Sequence, residues 1–184
     1  MENLRLDTEN YFLQSLNESD VSERYLSWLH DFEVSKTLEV DGKSQTLETI
    51  KDYINWHDNK LKFLFGIFTI KEKKHIGTFS VTLNVEHKRA TIGVMIGDKD
   101  YWGTGVVNEA RAKIIDWLFD IKKMNKIEAG PMSINFPAIF NFINQGWENE
   151  GIMKSHYLID GKSVDSILYG MTRKLWKDLK KQYK

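Results

Sequence analysis

Two glycines that follow a predicted strand are the residues whose types and spacing most directly suggest chemistry. Gly103 and Gly105 flank Thr104, and an amphipathic helix is predicted directly after them. The first turn of a helix has backbone N–H groups without acceptors, and the helix dipole favours negative charge there. Glycine lets a bulky anion approach the backbone and tolerates positive φ. The segment therefore predicts an anion-binding turn, although glycines at a helix start also serve simple turn geometry.

Other phosphate-binding motifs fit this segment less well. Asn108 occupies the position of the third glycine in a dinucleotide-binding fingerprint. The chain has no Gly-Lys-Ser or Gly-Lys-Thr for a nucleoside triphosphate loop. The strands predicted before the turn also follow one another directly, unlike a βαβ unit.

Composition restricts the possible functions of the 184-residue chain. Its 26 basic residues balance its 26 acidic residues, so nucleic-acid and membrane-surface binding are not expected. The absence of cysteine excludes disulfides, thiolate metal sites and a cysteine nucleophile, so any acyl transfer must be direct. The five histidines show no close pairing, so no metal site is expected. No leader-like or membrane-spanning apolar run is present, and the default expectation is a cytoplasmic protein.

Periodicity, capping residues and turn signals predict one domain, residues 1–184, with the element order β α α β β β α β α β β. The predicted strands are 11–16, 63–70, 76–83, 90–96, 126–132, 147–159 and 164–172. The predicted helices are 20–31, 46–57, 107–120 and 135–146, and the basic tail 173–184 has the pattern of a solvated helix.

Local signals fix several of these boundaries: Asn135 is a predicted helix cap, Gly146 a predicted helix end and Asp160-Gly161 a predicted hairpin turn. Asp20 and Glu23 form a capping-box pattern, and the segment between the first two helices is expected to be loop. Val107, Ala110, Ile114 and Leu118 form one apolar stripe, with Arg111, Lys113 and Asp116 outside it. Helical spacing on apolar faces favours core packing for four aromatic residues: Trp28, Tyr53, Trp56 and Trp117.

The sequence resembles the GCN5-related N-acetyltransferases, and especially the branch with ribosomal-protein N-terminal acetyltransferases and amino-sugar acetyltransferases. The strongest match is IGVMIGDKDYWGTGVVNEA, residues 92–110. Lys126-Ile127-Glu128-Ala129, Asn135 with Gly146-Trp147, and Asp160-Gly161 extend it over nearly the whole chain. The resemblance implies an α+β fold with a central, mostly antiparallel mixed sheet. That sheet is flanked by helices and splayed between its fourth and fifth predicted strands, 90–96 and 126–132.

The resemblance also implies acetyl-CoA as cosubstrate. Its pyrophosphate would accept hydrogen bonds from the backbone of the glycine turn, and its pantetheine arm would lie between the fourth and fifth predicted strands. Asp100 departs from the family pattern, which often has Arg or Gln there, and is not expected to be a ligand. The implied cofactor-binding residues are Val94, Met95, Ile96, Trp102, Gly103, Thr104, Gly105, Val106, Val107 and Asn135.

Proton transfer is less well defined by the resemblance. Many relatives place a proton-donating Tyr or Ser where this chain has Phe142 and Ala138. The remaining candidates for the acid are Ser133, Asn141, Tyr169 or a water, and those for the base are Glu128, Glu86, His87, His30 and Asp31. We select Glu128 and Ser133 as candidate catalytic residues. The oxyanion donor implied by the resemblance is a backbone N–H between Val94 and Gly97.

These observations favour an N-acetyltransferase that acts on a primary amine of a small molecule, such as an amino sugar or a sugar nucleotide. Two alternatives stay open: a protein N-terminal acetyltransferase of the ribosomal-protein type, and a noncatalytic acyl-CoA-binding domain. No nucleic acid or membrane partner is expected, and a homodimer is expected only because dimers are common among such enzymes.

Overall fold

The computed structural model of the protein describes residues 4–182. The elements are β1 (Arg5–Asp7), β2 (Tyr11–Ser15), α1 (Glu23–His30), α2 (Phe32–Ser35), α3 (Leu47–Trp56), β3 (Lys62–Thr69), β4 (His75–Asn84), β5 (Arg89–Ile96), α4 (Val106–Asp116), β6 (Lys126–Ala129), α5 (Phe136–Asn144), β7 (Glu148–Ile159), β8 (Lys162–Thr172) and α6 (Arg173–Gln182).

The strands run in the order β1-β2-β3-β4-β5-β6-β8-β7. The β5–β6 pair is parallel, whereas β1–β2, β2–β3, β3–β4, β6–β8 and β7–β8 are antiparallel. This confirms the predicted mixed, mostly antiparallel sheet with helices beside it.

Residue contacts divide this part of the chain into two compact units. Unit 1 comprises residues 4–83 and Gly93–Ile114, and unit 2 comprises Asn84–Ile92 and residues 115–182. The divisions fall inside β5 and α4, so each of these elements contributes residues to both units.

The predicted element order is confirmed, with two additions. β1 precedes the first predicted strand and pairs with β2, with Leu6 opposite Leu13. Three residues are too few for strand periodicity to be recognised in the sequence. α2 lies in the segment predicted to be loop, and its first turn is capped by the Asp31 side chain, which accepts a hydrogen bond from the Glu33 amide at 2.9 Å.

Two predicted boundaries are wrong. Asp20 does not form a box with Glu23; its carboxylate accepts from the Asn17 amide at 2.9 Å and closes a short 3-10 turn, so Ser22 caps α1 instead. Two overlapping capping patterns lie in this segment, and spacing alone did not separate them. β6 ends at Ala129, because Met132 forms an isolated bridge with Ser166 on β8 rather than continuing the strand.

The core of unit 1 contains apolar side chains from α1, α3, β3 and β5. Trp28 is buried there, as predicted, and its indole lies against the backbone of Gly97. A Cβ on Gly97 would overlap the ring, so the chain requires glycine at the end of β5. Tyr53 and Trp56 are 43% and 55% exposed, so their predicted core role is wrong. The buried face of α3 contains Ile50 and Ile54, and the aromatic residues lie beside it.

Helix α4 has a wider buried face than its apolar stripe predicted. Ala110 and Ile114 are fully buried, as expected, but Arg111 is also only 1% exposed. The prediction that Arg111 lies outside the buried face is therefore wrong. Burial lowers the pKa of its guanidinium to about 9. A π-helical turn, Trp117–Ile121, follows α4 directly, so helical backbone continues to the predicted end near Asp120.

Unit 2 contains the strands β6, β8 and β7, in that order. Asp160 and Gly161 join β7 to β8 with φ of 48° and 73°, as a two-residue type I′ hairpin turn requires. Gly146 closes α5 with φ of 78°, and Asn135 caps its first turn, both as predicted. The predicted helix in the tail is confirmed as far as residue 182, and residues 183–184 lie outside the described part of the chain.

Candidate functional site

The segment from Gly97 to Gly105 forms the turn before α4 in unit 1, and its residues 102–105 are exposed. Gly103 and Gly105 have φ of 73° and 87°, in the left-handed region that favours glycine. A Cβ at either position would meet nothing within 4 Å. The backbone conformation, and not crowding by neighbours, therefore requires glycine at these two positions.

Gly105 precedes the first residue of α4, and its carbonyl accepts from the Glu109 amide at 3.1 Å. Glycine has no side chain with which to cap the helix. The Thr104 hydroxyl donates to the Tyr101 carbonyl at 2.8 Å and so is engaged within the turn. Helix geometry leaves the first amides of α4, including those of Val106 and Val107, without intrahelical acceptors. Such amides, beside an exposed glycine turn, can bind the oxygens of a phosphate or pyrophosphate.

Asp98 holds the beginning of this turn. Its carboxylate is 2.6 Å from the Arg24 guanidinium and 2.8 Å from the Lys74 ammonium, and it accepts from the Asp100 amide at 3.2 Å. Burial by itself would raise the pKa of Asp98. The hydrogen bonds from Lys74 and the Asp100 amide, together with the charges of Lys74 and Arg24, lower that pKa below its usual value. Asp98 is therefore ionised at neutral pH and fixes the chain just before the glycines.

Glu109 holds the other end of the turn, on the first turn of α4. Its carboxylate accepts from the Thr8 hydroxyl at 2.5 Å, the Asn10 amide at 2.7 Å and the Asn10 side chain at 3.0 Å. Burial would raise the pKa of Glu109, but these hydrogen bonds lower it. The negative charge also suits a helix N-terminus. The helix start is thus tied to the β1–β2 turn.

The last residues of β5 use some of their polar groups within unit 1. The Trp102 indole donates to the Ile96 carbonyl at 2.8 Å. The Gly97 amide donates to the Ile76 carbonyl at 3.0 Å, so one of the amides predicted to donate to the oxyanion already has an acceptor within the protein. The Met95 side chain lies in the core of unit 1 and is only 8% exposed, so Met95 can offer a ligand only its backbone. Asp100 is exposed.

In unit 2, Glu128 lies on β6, opposite Thr91 on β5 and Gly170 on β8. Its carboxylate is 3.0 Å from the guanidinium of Arg89, and its side chain is 28% exposed. Glu128 thus has a structural partner in addition to the catalytic role that the sequence suggested.

Ser133 and Asn135 lie just before α5. The Ser133 amide donates to the Asp165 carbonyl at 2.8 Å, which fixes the backbone beside its hydroxyl. The Asn135 side-chain oxygen accepts from the Ala138 amide at 3.2 Å and caps the helix. The cap engages the oxygen that Asn135 would also use as an acceptor towards a ligand.

Phe142 is part of an aromatic cluster in unit 2. It stacks on Tyr169 with centroids 4.9 Å apart and meets Trp147 edge to face at 5.0 Å. Phe142 and Tyr169 are 6% and 3% exposed. Burial raises the pKa of the Tyr169 phenol, which makes Tyr169 a weaker acid. Phe142 itself has no group that could donate a proton, and its side chain packs in the core.

Of the other titratable candidates, His30 and Asp31 have structural partners. His30 contacts the Gln45 carbonyl through Nε2 at 2.9 Å. Asp31 caps α2 and lies 2.5 Å from the Lys99 ammonium. The hydrogen bond from Lys99 is the main cause that lowers the pKa of Asp31. Glu86 and His87 lie on the exposed turn between β4 and β5. Within residues 4–182, no three His, Asp or Glu side chains are grouped to hold a metal, and none of the described helices is long and apolar enough to span a membrane.

Comparison with known proteins identifies the family. The acetyltransferase (GNAT) domain family matches residues 11–139, which include β2, the glycine turn, β6 and the start of α5. The chain belongs to this family. Members of the GNAT family transfer acetyl groups from acetyl-CoA, so the predicted family, enzyme class and cosubstrate are confirmed at the level of the family.

Individual GNAT relatives agree with this assignment. The protein named "Probable N-acetyltransferase YjcK" of Bacillus subtilis (strain 168) is 31% identical over 114 residues, 61% of this chain and 62% of that protein. The ribosomal protein uS5 alanine N-acetyltransferase of Escherichia coli (strain K12) is 30% identical over 123 residues, 66% of this chain and 63% of that protein. The chain thus spans less than two thirds of the length of either relative.

Among solved structures, the spermidine N-acetyltransferase of Vibrio cholerae in complex with CoA and spermine matches with a TM-score of 0.81. The match covers 91% of this chain and 98% of that one, at 17% sequence identity. Identity this low supports the GNAT fold and nothing more specific.

Sequence reasoning missed two residues of this site, Asp98 and Glu109. Both residues entered the sequence analysis only as part of the family match to residues 92–110. A possible signal was the position of Glu109 in the first turn of the helix, where acidic residues are favoured. The partners of both residues are far away in the chain and leave no local pattern.

Proposed function

We propose that this protein is an acetyl-CoA-dependent N-acetyltransferase that transfers the acetyl group directly to a primary amine of a small molecule, such as an amino sugar or a sugar nucleotide. The observation that carries the proposal is the match of the GNAT domain to residues 11–139, which contains the glycine turn. We further propose that residues 1–184 form a single domain, because the matched region draws on both units.

The cofactor is proposed to bind through backbone amides of the glycine turn. Trp102, Gly103, Thr104, Gly105, Val106 and Val107 form the part of the site that receives the pyrophosphate. The exposed turn and the open space above both glycines support this role. Asp98 and Glu109 fix the two ends of the turn, so the amides are preorganised before the ligand arrives.

In the proposed reaction, the neutral amine nitrogen attacks the thioester carbonyl carbon, and the carbon–sulfur bond breaks. The developing oxyanion accepts a hydrogen bond from a backbone amide among Val94, Met95 and Ile96. The proton that the amine loses balances the thiolate that leaves, so the products are the acetamide and CoA thiol. No covalent enzyme intermediate is required, in agreement with the absence of cysteine.

Glu128 and Ser133 are the proposed proton-transfer residues, with Glu128 as base and Ser133 as acid. Glu128 keeps a partly exposed carboxylate, although Arg89 pairs with it. A pH–rate profile of Glu128→Gln that retained its acidic limb would exclude Glu128 as the base. Asn135 is proposed to contact the pantetheine arm in addition to capping α5.

The relatives leave the acceptor class open. One is named for acetylating the alanine of a ribosomal protein, and a structural neighbour was solved with spermine. An N-terminal protein acetyltransferase is therefore the main alternative within the enzyme class.

A noncatalytic acyl-CoA-binding domain is the second candidate function. The observation that favours it is the buried, stacked Phe142, with Ala138 one helical turn before it. Neither side chain can transfer a proton. A thiol with a pKa of about 8.5 leaves readily enough for direct transfer without a strong acid, so this observation does not remove the leading proposal.

One assay separates the two functions. The protein is mixed with acetyl-CoA and a panel of amines, namely amino-sugar nucleotides, polyamines and alanine-terminated peptides, and free thiol is followed. Thiol release with one class of amine supports the enzyme and identifies its acceptor. CoA binding without release from any amine supports the noncatalytic domain, and neither binding nor release contradicts both.

A matched pair of variants tests the glycine turn. Gly105→Val is expected to weaken CoA binding at least about tenfold, or about 1.4 kcal/mol, because a branched side chain stands where the anion approaches. Gly161→Val is the control, since Gly161 has φ of 73° and open space around it in the β7–β8 turn. It creates the same kind of backbone strain without touching the turn. Equal CoA affinity in both folded variants would refute the proposed site.

A further inference from the structure

Helix α5 presents an exposed face that is apolar except for Asn144 at its end. Its sequence, FPAIFNFIN, contains no charged residue. Phe136, Phe140 and Ile143 are 74%, 67% and 62% exposed, and Ile134 just before the helix is 43% exposed. The three helical residues recur at i, i+4 and i+7, which places them along one line on the helix surface. We call these four side chains the α5 stripe.

The α5 stripe is not the side of the helix that packs in unit 2. Phe142 performs that packing, against Trp147 and Tyr169. At about 100° per residue, Phe142 points away from the stripe. The helix is therefore apolar on two sides and packed within its unit on one of them. A helix that is apolar all round is normally buried all round, so the stripe has the character of an interface.

The size of the α5 stripe fits a protein–protein contact. At about 200 Å² for a whole phenylalanine side chain, Phe136 and Phe140 alone expose about 280 Å² of apolar surface. With Ile134 and Ile143, the stripe reaches the several hundred Å² that mark interaction sites on soluble proteins. A stable interface takes about 800 Å² from each partner, and somewhat more than half of it is apolar. The stripe supplies a large part of that apolar share.

We infer that the α5 stripe binds the α5 stripe of a second copy of this chain and forms a two-fold symmetric dimer. A helix face without charge offers nothing for a charged partner to recognise, whereas it meets its own copy without like-charge repulsion. α5 also lacks the lysines and arginines that a membrane-surface helix carries on its polar side. This inference does not depend on the proposed function.

The outer strand β7 is a less suitable surface for a second copy. Its pairing with β8 shifts register at Asn149/Gly151 and again at Met153/Tyr157. Such irregularities bend an edge strand and interrupt its row of hydrogen-bonding groups. Glu148, Glu150 and Lys154 add charge to the same strand, which also disfavours pairing between strand edges.

The dimer has a simple internal geometry. In an isologous contact, a residue i that contacts residue j of the partner is matched by residue j contacting residue i of the partner. The residue nearest the two-fold axis contacts its own copy. Phe140 is the middle residue of the three on the helix, so it lies nearest the two-fold axis. Asn144 is exposed at the end of the helix and provides a polar rim.

Sedimentation velocity on the full chain, from about 1 µM to about 1 mM, tests the inference. The wild type is expected to sediment as a dimer of the 21.6 kDa chain in the upper part of this range. Phe140→Glu is expected to raise the dissociation constant at least about a hundredfold, because two carboxylates would face each other in an apolar contact. Ile143→Lys is the second variant and is expected to act in the same direction.

Leu158→Glu is the matched control, since Leu158 is 72% exposed on β7. It is expected to leave the dimer intact. A charge swap gives the sharpest result: Phe140→Glu and Phe140→Lys are each monomeric alone, and their mixture associates again. A monomeric wild type across the range, a Phe140→Glu variant that dimerises normally, or binding of a monomeric wild type to phosphatidylcholine vesicles through the stripe would each overturn the inference.

Discussion

The N-termini of α4 and α5 are built in opposite ways. At α5 the Asn135 side chain accepts from the Ala138 amide, and Pro137 removes one further donor, so the helix satisfies its own first turn. At α4 the preceding residue is Gly105, which has no side chain, and the Thr104 hydroxyl bonds to Tyr101. The N-terminus of α5 is closed by its own residues, whereas neither Gly105 nor Thr104 caps that of α4. We propose that the first amides of α4 bind the ligand.

The N-terminus of α4 requires support that the N-terminus of α5 does not need. Asp98 with its two cations and Glu109 with the β1–β2 turn fix the turn before α4 from both sides. An unsupported glycine turn would lose much backbone entropy when it binds an anion. The comparison indicates that a binding function can lie in the backbone while the side chains around it only hold that backbone in place.

The largest expected effect is the loss of Asp98. Asp98→Ala removes the acceptor of two charge-assisted hydrogen bonds, from Arg24 and Lys74, and of the Asp100 amide. We expect it to lower the free energy of unfolding by about 3 kcal/mol. Chemical denaturation measures this. Asp7→Ala is the control, since Asp7 pairs with Arg5 where both side chains are exposed, and it should cost less than about 1 kcal/mol. Equal losses in the two variants would show that Asp98 does not support the turn.

His75 gives a pH-dependent test of the same support. Its ring packs on Phe68 and Trp28, and burial is the main cause that lowers its pKa to about 4. The unfolded chain therefore binds a proton from about pH 6.5 downwards, while the folded chain does so only near pH 4. Stability should fall by about 2.5 kcal/mol between pH 7 and pH 4.5 and should stay level above pH 7.

Denaturation midpoints of the wild type and of His75→Phe at pH 7 and at pH 4.5 check this prediction. The substitution keeps an aromatic ring against Phe68 and removes the titration. An equally steep fall in both proteins would assign the pH dependence to other groups.

The smallest expected effect is at the N-terminus of α5. Asn135→Ala removes the cap of α5 and should destabilise the protein by about 1 kcal/mol. Asn135→Asp keeps an acceptor for the Ala138 amide, so its stability should stay close to that of the wild type. If Asn135 also contacts the pantetheine arm, both variants weaken CoA binding. If only Asn135→Ala does so, the residue acts as a cap alone.

The sequence predicts those structural features whose interacting residues are close together in the chain. The glycine spacing, the cap at Asn135 and the hairpin at Asp160-Gly161 are local, and each was identified correctly as structure. The partners of Asp98 and Glu109 are not local: Arg24 is 74 residues away, and Thr8 is 101 residues away. No pattern within a window of the sequence contains such pairs.

The burial of single side chains could also not be predicted from the sequence. Arg111 is charged and is predicted to lie outside the apolar stripe of α4, yet it is only 1% exposed. Tyr53 and Trp56 are aromatic and were assigned to the core, yet the buried face of α3 ends beside them. Residue type predicts the average environment of a side chain, whereas tertiary packing decides the individual case.

The hydrogen bond from the Trp102 indole to the Ile96 carbonyl gives this region its own spectroscopic reporter. The indole is 44% exposed, but its N–H proton is engaged at 2.8 Å with the last residue of β5. In a nitrogen–proton correlation spectrum its signal should be displaced downfield. The indoles of Trp147 and Trp176 also donate hydrogen bonds, at 3.0 and 2.7 Å, so a spectrum of Trp102→Phe assigns the signal. Because it lies between the strand end and the glycine turn, the same signal should shift when a molecule arrives at either.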